Sequence, residues 1–239
     1  VVRKTGDGII KGNWTDSLAY YFGASYAMDS KNRIELYAIG APQRHGQNLY
    51  KQNIATYSQK FAKDNTDDMY NPAAFEDGAK FSHEAGRLFS QNWAPVSSSY
   101  KGQQYWYMYG ARTTDRHNSN FLNERENFFH KPLVNLNHFL TINNKMRLST
   151  IAYWSGGSGG GTGTYGSSFR SPAVAGKKWY GSSPWTWNWD GAIASNSDNV
   201  DTDFHATENR SKGILRNSIN RQSTIGAISK LNIDVNDAL

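Results

Sequence analysis

Three tryptophans form the most distinctive candidate binding feature of this 239-residue sequence. Trp185, Trp187 and Trp189 occupy alternate positions, so they would share one face of an extended segment. Indole rings on one face can stack on sugar rings or planar chelates, and they can equally pack a long loop onto its neighbours. The spacing leaves both interpretations open, with packing the preferred one.

Two further groups are candidates for ligand binding. Tyr105, Trp106 and Tyr107 belong to a dense aromatic run, which also suits a girdle at a membrane surface or a strand extending above it. Arg44 and His45 follow a strand-like run directly, where their basic groups could meet an anionic ligand. These five residues and the three tryptophans make up the predicted ligand-binding set.

Catalytic, cofactor and metal signatures are weak. The six histidines lack metal-site spacing and the chain has no cysteine, so a zinc site is not expected. Gly161–Gly166 fits a dinucleotide pattern, but no helix start follows it. Glu124 and Glu126 alternate with Arg125 and are interpreted as a paired structural set rather than as glycosidase acids. We therefore predict no enzyme activity, no catalytic residue, no metal and no cofactor.

The composition describes a polar chain that folds. Mean hydropathy is −0.71, yet 14% of the residues are aromatic, which is unlike a disordered chain. The net charge of +6 is spread among acids without basic clusters, so nucleic-acid binding is not expected. No run approaches the ~20 apolar residues of a transmembrane helix, whereas a barrel strand needs only ~9–11.

The elements that would position these residues are strands. Between Leu18 and Met28 the even positions are larger and more apolar than the odd ones, which is a period of two. Short polar turns at residues 29–32 and 143–145 join strand-like runs into two hairpins, and much longer insertions separate the hairpins. The predicted strands lie near residues 17–28, 33–41, 128–142, 146–155 and 214–233, with long loops at 42–127 and 156–213.

Short turns on one side and long loops on the other are typical of bacterial outer-membrane barrels. A soluble antiparallel sandwich remains the alternative, although sandwiches carry turn signals every 8–12 residues. The fold class predicted is therefore all-β, an antiparallel transmembrane barrel segment. Five strands cannot close a barrel, and the chain opens at Val1 without an initiator Met, so we expect a part of a larger protein.

Four stretches in this order resemble the central barrel of TonB-dependent outer-membrane receptors of the Bacteroidetes type. Each stretch alone is weak, but their order and spacing across roughly residues 8 to 233 make the resemblance specific. They are Tyr37–His45, Leu122–Pro132, Leu136–His138 and Ser155–Gly163.

The resemblance implies a 22-stranded barrel, of which this chain supplies about five strands, in the bacterial outer membrane. It implies uptake of a scarce ligand, such as an iron chelate, cobalamin or a glycan, driven by TonB through a plug domain that this chain lacks. Outer-membrane lipid and a surface lipoprotein are the other partners implied. The alternative function is a soluble or surface-attached aromatic-rich all-β module that binds glycans.

Overall fold

The computed structural model describes residues 1–50, 52–65, 83–97, 104–106, 110–112, 120–174, 176–177 and 184–235. Strands dominate these residues, and the helices are short. The strands are β1 Val2–Asp7, β2 Trp14–Ala27, β3 Asn32–Gly40, β4 Gln43–Gly46, β5 Trp93–Pro95, β6 Gln104–Trp106, β7 Gly110–Arg112, β8 Phe121–Asn123, β9 Glu126–His130, β10 Leu133–Asn143, β11 Met146–Gly166, β12 Arg170–Pro172, β13 Trp185–Trp187 and β14 Gly213–Ile233. The helices are α1 Ile54–Tyr57, α2 Gln59–Asn65 and α3 Trp189–Ser197.

One antiparallel sheet organises the described part of the chain. It contains β1, β2, β3, β4, β9, β10, β11 and β14, and every pairing within it is antiparallel. Strands β3 and β4 lie end to end, as do β9 and β10, because each pair contacts the same neighbours in succession. The spatial order therefore follows the chain order, with β1 and β14 at the two edges of the described sheet.

Two prolines interrupt this sheet without shifting its register. Pro42 separates β3 from β4, and Pro132 separates β9 from β10. A proline removes one donor from the ladder but keeps its carbonyl acceptor. The Pro42 carbonyl accepts from the Leu18 amide at 2.9 Å, and the Pro132 carbonyl accepts from the Gly156 amide at 2.9 Å. The pairing continues in the same register beyond both prolines, so each composite strand behaves as one long strand.

The first tight turn is held by one aspartate. The Asp29 carboxylate accepts from the amides of Lys31 at 2.7 Å and Asn32 at 2.8 Å, as aspartate commonly does in turns. These hydrogen bonds, led by that from the Lys31 amide, lower the pKa of Asp29 below its ordinary value of 3.8. Both predicted hairpins are present, with β2 pairing β3 and β10 pairing β11.

The half of the sheet nearest these tight turns has two chemically different faces, because side chains alternate along each strand and paired residues share a side. We call them the apolar face and the polar face. The apolar face carries Tyr20, Phe22, Ala24, Tyr26, Ile34, Leu36, Ala38, Val134, Leu136, Leu140, Leu148, Ala152, Trp154, Ile225, Ala227, Leu231 and Ile233. The other face, which is mainly polar, carries Ser25, Arg33, Glu35, Asn135, Asn137, Ser149, Lys230 and Asn232, the aromatic residues Tyr21, Tyr37, Phe139 and Tyr153, and the aliphatic residues Ile39, Leu133, Ile151 and Ile228.

No described residue covers most of the apolar face. Tyr26 is 68% exposed and Ile225 is 83% exposed, and large side chains on every intervening strand are also open. The face is interrupted by a polar row of His138, Thr150 and Ser229, in which the Thr150 and Ser229 hydroxyls hydrogen-bond each other at 2.9 Å. Asn32 is a further polar residue on this face, beside Leu140. The sheet therefore presents a broad apolar surface instead of burying it.

The buried core of the chain lies in its loops. Ala94, Val96, Trp187 and Trp189 form a buried cluster, and Leu122 and Trp185 pack against it. Strands β5, β8 and β13 and helix α3 supply these residues. The described parts of the long insertions thus supply a packed cluster, which we call the loop body.

Several elements differ from the sequence prediction, and β4 to β8, β12, β13 and α3 all lie within the stretches predicted as loops. Strand β1 is additional; its polar sequence gives no apolar alternation, but it pairs with the polar start of β2. Strand β11 continues through Gly166, although residues 156–166 were predicted as loop, because β14 pairs with it over its whole length. Helices α1 and α2 lie within the predicted loop 42–127 and are separated at Ser58, whose backbone is extended.

Candidate functional site

A groove lies on the polar face at the end of the sheet farther from the tight turns. Its volume is about 530 Å³. Strand β11 supplies the floor, and β9 and β14 supply the two walls. The lining residues are Gln47, Arg125, Glu126, Asn127, Phe128, Phe129, Lys131, Gly157, Ser158, Gly159, Gly160, Gly161, Thr162, Arg216, Ser218, Asn220, Arg221 and Gln222.

The floor is open because alternate residues of β11 have no side chain. Gly157, Gly159 and Gly161 all face the groove, since residues two apart along a strand share a face. A Cβ added at Gly157 would lie 2.6 Å from the Gln222 side chain, and one at Gly159 would lie 2.9 Å from the Phe129 Cβ. Glycine therefore lets the walls lean over the floor and keeps the groove narrow.

Basic side chains dominate the groove. Arg125 and Lys131 stand on one wall and Arg216 on the other. Arg221 borders the groove, but it pairs with Ser158 and so belongs to the other side of the sheet. Glu126 borders the groove as well, but its carboxylate binds Arg44 instead. Within the described ranges, Lys131, Arg216 and Arg221 form no ion pair with a carboxylate. The groove thus has an excess of positive charge.

A buried carboxylate fixes one of these cations. Glu124 is fully buried, and its Oε1 lies 3.2 Å from the Arg125 Nε. Its Oε2 accepts from the Asn92 Nδ2 at 2.6 Å and from the Trp187 Nε1 at 3.0 Å. The Thr164 amide and hydroxyl each donate to Oε1 at 3.2 Å. We call these five residues the Glu124 cluster; it joins the loop body to the sheet and orients Arg125 at the groove.

The opposite side of the sheet at this level carries a second ionic group. Arg44 binds Glu126, and its guanidinium carbon lies 5.9 Å from the Trp14 ring centroid. Asp16, paired across strands with Arg44, receives two hydrogen bonds from Arg3, each at 3.1 Å. Burial raises the pKa of Glu126 above its ordinary value, and Arg44 opposes that rise. Arg44 is therefore engaged within the protein and lies outside the groove.

His45 lies beside the groove. It is half-buried, and its Nε2 is 3.1 Å from the side-chain nitrogen of Gln47, which lines the groove. It also pairs across strands with Asn127, another lining residue. Burial lowers the pKa of His45, so the ring is neutral near pH 7. His45 can contribute a hydrogen bond at this rim rather than a charge.

The three tryptophans come together in the loop body. The rings of Trp185 and Trp187 meet edge to face with centroids 4.9 Å apart, and those of Trp187 and Trp189 stack at 5.7 Å. Trp187 and Trp189 are buried, and the Arg170 guanidinium lies 4.0 Å from the Trp185 ring centroid. The three rings contact one another and Arg170, so they are arranged as packed residues.

The predicted central aromatic run is described only in part. Tyr105 and Trp106 belong to β6, which pairs with β7 in a two-stranded ladder. Tyr107 lies outside the described residues. The structure therefore brings together the tryptophan trio, places His45 beside the groove and places Arg44 on the other side of the sheet.

No protein-family model matches the chain, and neither a curated protein nor a solved structure matches it. In the part of the chain that the structure describes, no helix is long and apolar enough to cross a membrane. Among the same residues, no group of three or more His, Cys, Asp or Glu side chains is placed to hold a metal ion.

The groove residues were not among the sequence-predicted site. Two signals pointed to them: glycine at every second position from 157 to 163, and polar residues at every second position from 216 to 222. Both patterns have a period of two, but the first lies in a stretch of Gly, Ser and Thr, a composition that predicts a loop. Only the pairing of β11 with β14 sets the two patterns side by side.

Proposed function

We propose that this chain forms part of a TonB-dependent receptor barrel in the bacterial outer membrane. In such a receptor the sheet contributes strands and outward loops, and the whole protein takes up a scarce ligand such as an iron chelate, cobalamin or a glycan. TonB would act through a plug domain, and a surface lipoprotein would be a further partner. The observation that carries the proposal is the uncovered apolar face backed by a polar face.

The dimensions of the apolar face support this proposal. On β14 it runs from Ile225 to Ile233, about nine residues, and a membrane-crossing barrel strand needs ~9–11. A soluble sandwich would cover such a face with a second sheet, because burial of apolar surface drives its folding. Trp154, 40% exposed, stands at the upper end of the face, where barrels carry interfacial aromatics.

The alternation of the two faces gives a direct test. The chain has no cysteine, so single cysteines can be placed without background at Ala24 on the apolar face and at Ser25 on the polar face. These neighbours are both exposed and lie on the same strand, which makes them a matched pair. The chain is then reconstituted into phosphatidylcholine vesicles. An environment-sensitive fluorescent label at Ala24→Cys should have the emission spectrum that it has in hydrocarbon, and brominated lipid should quench its fluorescence.

The same label at Ser25→Cys should be accessible to an aqueous quencher instead. Equal accessibility of the two labels to the aqueous quencher would contradict membrane placement. A folded, monodisperse preparation of the chain made without detergent would also contradict it and favour the soluble module.

A further inference from the structure

We propose that the glycine-floored groove binds an elongated oxyanionic ligand, one that carries carboxylate or phosphate groups, between Arg125 and Arg216 with Lys131 at the far end. The inference deepens the proposed function by naming the ligand class. It stands on the cavity, on the cations that line it and on the register that places them.

The strand register places Arg125 and Arg216 at the same level of the sheet, on either side of Gly163. Gly163 pairs directly with Arg216, and a Cβ built on Gly163 would lie 2.6 Å from an Arg125 guanidinium nitrogen. Their strands are separated by β11 alone, so their Cα atoms are two strand spacings, about 10 Å, apart. Two guanidinium groups on stems of this length can converge on one oxyanion above Gly163, each offering a planar pair of donors.

Arg125 is preorganised for this role. Its Nε faces the Glu124 carboxylate at 3.2 Å, and its Nη1 lies 3.4 Å from the Thr162 carbonyl oxygen. The side chain is 30% exposed, so part of the guanidinium remains open to the groove. An arginine held in place loses less conformational entropy on binding than a free one.

Arg216 provides the second cation. It is exposed, forms no carboxylate ion pair within the described ranges, and its guanidinium carbon lies 5.4 Å from the Tyr165 ring centroid. Lys131, also exposed, places its Nζ 5.6 Å from the Phe129 ring centroid. Both cations rest on aromatic faces, which keeps them near the groove without neutralising them.

The shape of the groove selects an elongated ligand. By continuation of the register, Lys131 lies beside Gly157 and the arginine pair lies beside Gly163, about 20 Å apart at ~3.3 Å per residue. Asn127, Asn220 and Gln222 line the intervening length with amides that can bond hydroxyl or phosphate oxygens. A small monoanion would occupy only one end of this path.

The test is calorimetric titration of the full 239-residue chain in detergent micelles with three probes. Tripolyphosphate and tetragalacturonate are the two anionic probes, and they separate phosphate from carboxylate recognition. Maltotetraose is the neutral control of similar shape to the galacturonate. We expect at least one anionic probe to bind, with affinity falling as NaCl is raised, and maltotetraose to bind far more weakly.

The variants are Arg216→Gln and a matched control, Lys230→Gln. Both positions are exposed cations on the same face of β14, but Lys230 lies outside the groove lining. Arg216→Gln should weaken binding of the anionic probe about tenfold, since it removes a charge-assisted pair. Lys230→Gln should leave the affinity for the anionic probe within about twofold of that of the parent chain. Lys131→Gln is a second variant, at the other end of the groove, and it should also weaken binding of the anionic probe.

Three results would overturn the inference: absence of binding by both anionic probes at low salt, maltotetraose binding as tightly as either, or equal losses in Arg216→Gln and Lys230→Gln. The outcome is distinct from that of the membrane test. Label accessibility reports the apolar face whether or not a probe binds, and titration reports the groove whether or not the chain inserts into vesicles.

Discussion

Replacing Glu124 with glutamine should destabilise the junction between the loop body and the sheet. The Glu124 carboxylate is fully buried and accepts two hydrogen bonds at each oxygen, from Asn92 and Trp187 at Oε2 and from the Thr164 amide and hydroxyl at Oε1. Glutamine has one oxygen and one NH₂ group in the same space. An NH₂ group at the Oε2 position meets the Asn92 and Trp187 donors, whereas one at the Oε1 position meets the Thr164 amide, because the Thr164 hydroxyl can rotate and accept from it.

The magnitude follows from the lost acceptor. The glutamine amide takes the less costly orientation, in which the Thr164 amide is left unsatisfied. One buried unsatisfied donor costs about 1–3 kcal/mol, with about 2 kcal/mol as the central expectation. Arg125 also loses its carboxylate partner, but its side chain is 30% exposed and water compensates much of that loss. Additional cost from the unpaired arginine is therefore small.

Denaturant unfolding in micelles, followed by tryptophan fluorescence, measures the total change in free energy. Hydrogen exchange at the Trp187 indole N–H and the Thr164 amide measures the local change, because both groups donate to Glu124. Glu208→Gln on an exposed loop is the control and should stay within about 0.5 kcal/mol of the parent chain. A Glu124→Gln chain as stable as this control, with both hydrogens still protected, would refute the reasoning.

Three other predictions follow from charge and topology. Arg44→Met removes the Arg44 charge, which lowers the pKa of the buried Glu126, so that raised pKa should rise further. An acid whose pKa is raised by folding stabilises the fold fully below its ordinary value of 4.5 and loses that contribution as pH rises, so denaturant unfolding between about pH 4 and pH 8 should show stability falling more steeply than in the parent chain. The Asp29 carboxyl should titrate below 3.8 by ¹³C NMR, and the turn should lose stability only as pH falls through that lowered value; a midpoint at or above 3.8 would contradict the hydrogen-bonded turn. On intact cells producing the parent receptor, an impermeant maleimide should label a cysteine at Ser195 and leave one at Asn144 unlabelled, and the reverse pattern would refute the proposed orientation.

The sequence was sufficient for the strands that alternate large and small side chains. Leu18 to Met28 shows its period of two directly, and Asp29 marks the turn that follows, since both signals are local. Strand β1 could not be read in this way, because its polar residues gain strand structure only from pairing with β2. The glycines of β11 misled the prediction for a similar reason: glycine is a poor strand former alone, and here β14 supplies the ladder.

The candidate site was harder to predict than the sheet, because it depends on which long-range partner each charged residue meets. Arg44 looked available beyond the end of a strand, yet it binds Glu126, which is 82 residues away in the chain. Glu124 and Glu126 were interpreted as a paired structural set; in the structure each binds an arginine, and the two arginines lie on opposite sides of the sheet. Sequence alone placed the charges in a short motif and could not assign these partners.

The continuous register links the groove to the apolar face. Strands β11 and β14 run through both, so the same two strands carry apolar side chains at Leu148 to Trp154 and a glycine floor from Gly157 onward. The change from apolar side chains to glycine occurs beside Pro132, where the ladder loses one N–H donor but the strand register is kept. A ligand held by Arg125 and Arg216 would therefore contact strands whose other ends lie in the proposed membrane span. Since the Glu124 cluster fixes Arg125 to the loop body, loop packing and groove charge depend on the same buried carboxylate, and weakening that cluster should loosen both together.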